Sequence, residues 1–123
     1  MLDIEDVNNL LKKTIEKKSK ISTLACQIED EKLFLNKNIV KVTTKEELHQ
    51  DNLSRASSFT REIGNNQKKI YHHIGIYIYN VTYLERFVQL EQTQNEKSQK
   101  LEQLRLVDNN IEIDVGLAKT KKW

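Results

Sequence analysis

The chain has 123 residues, 31% charged and 37% apolar, with no proline, three glycines and a formal net charge of +2. That length bounds it at one domain, and 20 basic against 18 acidic residues give no general reason to expect nucleic-acid binding. Cys26, the single cysteine, rules out an intrachain disulfide, no secretory leader is recognisable, and the longest apolar run, Ile74 to Tyr79, is far too short to span a membrane.

In chain order, a first helix is expected from near Asp3 to about Asn38. Asp3, Glu5 and Asp6 sit in its opening turn, where carboxylates complement the helix dipole. The segment Ile39 to Thr44 is β-branched and a weak helix former, and Thr44-Lys45-Glu46-Glu47 has the form of a capping box. A hinge near 40–45 follows, with the chain folding back as a hairpin or continuing as a rod. A second helix then runs from about Lys45 to Leu106; at 1.5 Å per residue it would be about 90 Å long. Gly64-Asn65-Asn66 is its weakest point. Asp108-Asn109-Asn110 offers a cap for a short terminal helix, and Lys119, Lys121, Lys122 and Trp123 form a basic tail. The domain reading is residues 1–106 as a coiled-coil region and 107–123 as terminal helix and tail.

An apolar period joins these helices. One heptad frame runs from Ile4 to Val88, and roughly 18 of its 25 seam positions are apolar, against a background of 37%. Within it Ile63, Ile70, Ile74, Tyr77, Val81, Leu84 and Val88, with Gln67 as the one polar entry between them, recur at steps of three and four, a ridge expected to bind partner helices. Flanking Leu10, Ile15, Leu24, Phe59, Tyr71, Ile78 and Phe87 widen the seam towards a three- or four-helix bundle. The expected fold class is all-α: long amphipathic helices forming a coiled coil, helical hairpin or bundle with partner helices. Ile76 to Tyr83 competes as a strand through its Ile, Tyr, Val and Thr content, but few other segments alternate with period two to pair with it.

Chemistry finds little footing in this reading. There is no glycine-rich phosphate loop, nucleophile elbow or cysteine pair. His72 and His73 are adjacent, so their side chains would diverge on a helix, and His49 with Glu46 supplies only two ligands. With Lys18, Lys32 and Gln67, the latter pair reads as polar seam entries that fix register and partner choice. Cys26 reads as a small, semi-buried apolar side chain. Tyr71, Tyr77, Tyr79, Tyr83 and Phe87 read as packing. No catalytic residue, cofactor or metal is expected, and the chain is read as a non-enzyme.

Asn80-Val81-Thr82-Tyr83-Leu84-Glu85, followed by Gln99-Lys100-Leu101-Glu102, resembles the C-terminal helix of small subunits of the biogenesis of lysosome-related organelles complex. The resemblance covers about a third of the chain. It implies an all-helical cytoplasmic subunit acting in endosomal and lysosomal vesicle traffic, peripheral on endosomes.

The expected function is thus a coiled-coil subunit of a hetero-oligomeric complex, with other helical coiled-coil subunits as partners and at most indirect membrane contact. A kinetochore, spindle-pole or ciliary scaffold is one alternative. A helical membrane-surface binder using Lys12 to Lys20 is another.

Overall fold

The computed structural model describes residues 3–28, 32, 35–61 and 69–119. Helix α1, Ile4–Lys17, begins where the Asp3 carboxylate accepts a hydrogen bond from the Glu5 amide at 2.9 Å. It ends at Lys18, which adopts the left-handed conformation and stops the helix about twenty residues before the expected end. Strands β1 (Ile21–Cys26), β2 (Lys41–Thr44), β3 (Leu53–Thr60) and β4 (Ile70–Tyr79) follow. Three short helices come next: α2 (Val81–Gln89), α3 (Gln94–Gln99) and α4 (Leu104–Asp108). Strand β5, Asp114–Leu117, comes last.

The five strands close on themselves in the order β1-β4-β2-β3-β5, with β5 returning to lie parallel beside β1. The other neighbours are antiparallel. Closure leaves both faces of β1 covered, and every residue from Ile21 to Cys26 is buried. Ile21 and Ala25 join a core with Val42, Phe59, Leu104, Leu106 and Val115. Leu24 and Cys26 join a second core with Leu10, Leu53 and Ile74 under α1.

Helix α1 docks through polar atoms as much as apolar ones. Lys17 donates to the Leu53 carbonyl at 2.9 Å, Lys13 to the Gln50 and Asn52 carbonyls, and the Lys119 amide donates to Asp6 at 2.8 Å. Leu10 beside them is fully buried. Opposite Leu10, Gly116 leaves room for it; a Cβ there would stand 2.8 Å from the Leu10 side chain.

The all-α expectation is overturned: the fold is mixed α/β, with short helices packed on a closed five-stranded sheet. The β-branched Ile39–Thr44 segment, read as a hinge, leads into and forms β2. Its apparent capping box starts no helix; the Thr44 hydroxyl donates to the Glu46 carbonyl at 2.5 Å. The long second helix is replaced by β3, β4 and three short helices. Instead of a terminal helix after Asn110 the chain forms β5, which pairs with β1 and β3. Residues 120–123 of the basic tail lie outside the described residues, as does Gly64-Asn65-Asn66.

Candidate functional site

Strand β4 carries the site. Its odd residues His73, Gly75, Tyr77 and Tyr79 line one open cleft, while Ile74, Ile76 and Ile78 on the other face pack in the core under α1. Between β1 and β4 the register slips: Thr23 faces Tyr77, but the next residue, Leu24, faces Ile74. Gly75 and Ile76 therefore bulge out of the ladder, and a Cβ on Gly75 would meet nothing within 4 Å.

The cleft has a volume of about 530 Å³. Asn38, Ile39 and Val40 from the approach to β2 form one wall. Phe87 of α2 and Lys100, Leu101, Glu102 and Gln103, which link α3 to α4, form the other. Along the floor, aromatic rings follow one another: Phe59 to His73 at 5.1 Å, His73 to Tyr77 at 5.5 Å, Tyr77 to Tyr79 at 5.8 Å and Tyr79 to Phe87 at 6.2 Å.

The walls are held in place. Arg61 donates to the Asn38 carbonyl on one side and the Gln99 carbonyl on the other, at 3.1 and 3.5 Å. Buried Lys41 donates to the Asn36 and Arg61 carbonyls at 2.6 and 2.8 Å. Thr93 and Glu96 form a complete capping box at the start of α3. Glu96 also takes two hydrogen bonds from Arg105, whose guanidinium holds the carboxyl below the usual carboxylate range. Lys100, at the rim, adopts the left-handed conformation that ends α3.

At neutral pH the floor is uncharged. Burial pushes His73 down to about 4, with His72 adding to the effect. Burial and then Lys41 lower His72. Burial raises Tyr77 and Tyr79, and neighbouring Glu102 pushes both further, so both phenols keep their protons as donors. Beside the floor, Cys26 Sγ lies 3.8 Å from His72 Nδ1, and burial pushes the thiol up to about 11. That pair is neutral, and Cys26 is fully buried rather than half-buried.

The ridge expected to bind partner helices is taken apart. Ile63 lies outside the described residues, and Ile70, Ile74 and Tyr77 are in β4. Val81, Leu84 and Val88 form an outward row on α2, with Val81 and Val88 each 70% exposed. Of the six described ridge residues, Tyr77 alone lines the cleft. The expected polar layer of Glu46 and His49 is a pair of exposed residues in the segment between β2 and β3. His73, Gly75, Glu102 and Gln103 were missed as a set. Their signal was the alternation Ile74-Gly75-Ile76-Tyr77-Ile78-Tyr79, a strand period next to a histidine pair.

The closed α/β scaffold thus opens a polar, aromatic-floored cleft whose volume falls in the range of small-molecule sites. The family model for cytidylyltransferases matches residues 1–113, and the chain belongs to that family. It is 44% identical over 100 residues to a 3-deoxy-manno-octulosonate cytidylyltransferase of Rhodopseudomonas palustris, covering 79% of this chain and 39% of that protein. A Brucella anthropi protein of the same name is 41% identical over 101 residues, covering 81% and 40%. The solved structure of a CMP:2-keto-3-deoxy-manno-octonic acid synthetase complexed with CTP superposes with a TM-score of 0.82 at 26% identity, over 96% of this chain and 48% of that one. The chain thus spans about two-fifths of the length of the curated relatives it matches.

These findings overturn the coiled-coil subunit, its helical partners, the vesicle-traffic resemblance and the non-enzyme reading together. The family is enzymatic, and the resemblance that suggested endosomes goes with the rest. Among the described residues no helix is long and apolar enough to cross a membrane.

Proposed function

We propose that this chain forms the sugar-acid side of a cytoplasmic enzyme that transfers a cytidylyl group from CTP to a 3-deoxy-octulosonate. The observation that carries the reading is the cleft on β4, in a chain matched by the cytidylyltransferase family model over residues 1–113. The names of the relatives supply the substrates.

The cleft suits a hydroxylated acid. The faces of Tyr77, Tyr79 and Phe87 offer flat apolar area to the C–H face of a sugar ring. Glu102 accepts from hydroxyls, Gln103 and Asn38 both donate and accept, and the two phenols donate. Lys100 places a cation at the rim for a carboxylate. In the transfer, a hydroxyl oxygen of the sugar forms a bond to the α-phosphorus of CTP, the bond to the β-phosphate oxygen breaks, pyrophosphate leaves, and the hydroxyl proton is released. This chain's part is to hold the acceptor so that one hydroxyl is presented and the others are occupied. With three glycines in the whole sequence and no phosphate loop, the triphosphate is not assigned to residues of this chain.

The test is titration of the 123-residue chain with 3-deoxy-manno-octulosonate, followed by NMR. Shifts concentrated at Tyr77, Tyr79, Glu102 and Gln103, and lost in Glu102→Ala, are the expected result. Saturable binding that leaves those four unmoved would overturn the assignment of the cleft, and so would no binding at all.

A further inference from the structure

Resting on the reading of the cleft as a sugar-acid site, we propose that Thr23 is a positioning residue: its hydroxyl fixes the Nε2–H tautomer of His73 and so leaves Nδ1 as the ring's acceptor for a ligand hydroxyl.

The argument is a count of protons. Thr23 is fully buried in β1, opposite the bulge in β4. Its Oγ1 stands 2.7 Å from the Ile76 carbonyl, 3.2 Å from the Ile74 carbonyl and 2.9 Å from His73 Nε2. A hydroxyl has one hydrogen to give and can accept in return. Both carbonyls can only accept, and Ile76 is the nearest of the three atoms. Were the hydrogen turned to His73 instead, Thr23 Oγ1 and the Ile76 carbonyl oxygen would stand 2.7 Å apart with no hydrogen between them, lone pair against lone pair. The hydrogen therefore goes to Ile76, and the hydroxyl oxygen accepts from His73 Nε2–H. A neutral imidazole with its hydrogen on Nε2 carries its lone pair on Nδ1.

The surroundings keep the ring from turning over. Phe59 meets it edge-on at 5.1 Å and 77°, and Tyr77 tilts against it at 5.5 Å. Its backbone amide is tied to the Val40 carbonyl at 2.9 Å. No hydrogen bond reaches His73 Nδ1 from any described residue, and the ring lines the cleft. An acceptor there favours a donating hydroxyl and disfavours an anionic oxygen. It would help the site grip a polyol while the acid's carboxylate lies elsewhere.

The test compares wild type, Thr23→Ser and Thr23→Val in the full chain. Long-range proton–nitrogen NMR of His73 at pH 7 reads the tautomer directly, and a titration with 3-deoxy-manno-octulosonate reads affinity. The expected result is the Nε2–H pattern in wild type and Thr23→Ser, a mixed or Nδ1–H pattern in Thr23→Val, and at least a tenfold rise in Kd in Thr23→Val only. Should Thr23→Val fail to fold, Thr23→Cys, whose thiol is a poor acceptor, carries the same expectation. An Nδ1–H pattern in wild type overturns the proposal, and so does a Thr23→Val chain with unchanged tautomer or unchanged affinity. A wild-type chain with the Nε2–H pattern that binds no sugar acid overturns the reading of the cleft instead.

Discussion

Arg105 holds Glu96 by both carboxylate oxygens, Nε to Oε1 at 2.9 Å and a terminal nitrogen to Oε2 at 2.7 Å, while its guanidinium lies 4.7 Å from the centre of the Phe87 ring. One side chain thereby joins α4, the start of α3 and the aromatic end of the cleft. Both charged side chains are poorly exposed, Glu96 at 3% and Arg105 at 14%. Arg105→Ala strands a covered carboxylate and is expected to cost about 2 kcal/mol of stability. Arg105→Lys is expected to recover only part of that, because an ammonium cannot make the paired contact. Urea unfolding measures both; an alanine variant within about 0.5 kcal/mol of wild type, the level of an ordinary surface change, would show the pair to be ornamental.

His73 ties stability to pH. Folded, its imidazole titrates near 4 because of burial and His72; unfolded, it would titrate near the ordinary 6.5. Between those values the unfolded chain binds a proton that the folded chain refuses. Stability is therefore complete above about pH 6.5 and falls as the pH drops towards 4, by up to about 3 kcal/mol from this residue. His72, lowered by burial and Lys41, adds a loss of the same sign. Denaturation at pH 7 and pH 4.5 should show a clearly smaller loss in His73→Gln than in wild type. Equal losses would mean that His73 is not the sensor.

The two described glycines of the sheet predict opposite outcomes. A Cβ on Gly116 would come within 2.8 Å of Leu10 and 3.0 Å of Leu53, so Gly116→Ala should destabilise by about 1–3 kcal/mol. Gly75→Ala meets open space and should leave the melting temperature almost unchanged. Gly75→Phe should fold equally well yet abolish binding of 3-deoxy-manno-octulosonate by filling the cleft. Thermal melts paired with a binding titration separate the cases.

Ile74 and Val81 were read as neighbours on one partner-binding ridge, and the fold assigns them contrary fates. Ile74 is 6% exposed and Val81 70% exposed. Ile74→Asp should unfold the chain by burying an unpaired charge, whereas Val81→Asp should change stability by no more than about 0.5 kcal/mol. Circular dichroism of the two variants decides it. Equal loss of structure in both would contradict the contrast in burial.

Much of the misreading has one physical source. A strand covered on one face alternates visibly, but β1 is buried from Ile21 to Cys26 and shows no period two. With its partners hidden in this way, the alternation in β4 looked isolated. Apolar residues from both faces of several strands then fell into a heptad frame by coincidence. What a short stretch can encode was legible: a helix does begin beside Asp3, which stands as its cap rather than within its opening turn, and the weak helix-forming character of Ile39–Thr44 is the same property that lets β2 form. The cleft was not legible, because Asn38, His73, Phe87 and Glu102 come together only once the sheet closes. The outward row on α2 explains the false likeness to a coiled-coil subunit, since Val81, Leu84 and Val88 keep helical spacing without a cover in this chain.

Because β5 fits between β1 and β3, each of those strands keeps one border unsatisfied until the ribosome has delivered Asp114–Leu117, long after β1 itself has emerged. Until then a nascent polypeptide carries two adhesive borders of unpaired backbone. A product cut short ahead of Asp114 would retain most of its helices and strands and still be prone to clump, so premature termination would deplete usable protein twice, once by omission and again by co-aggregation with intact copies.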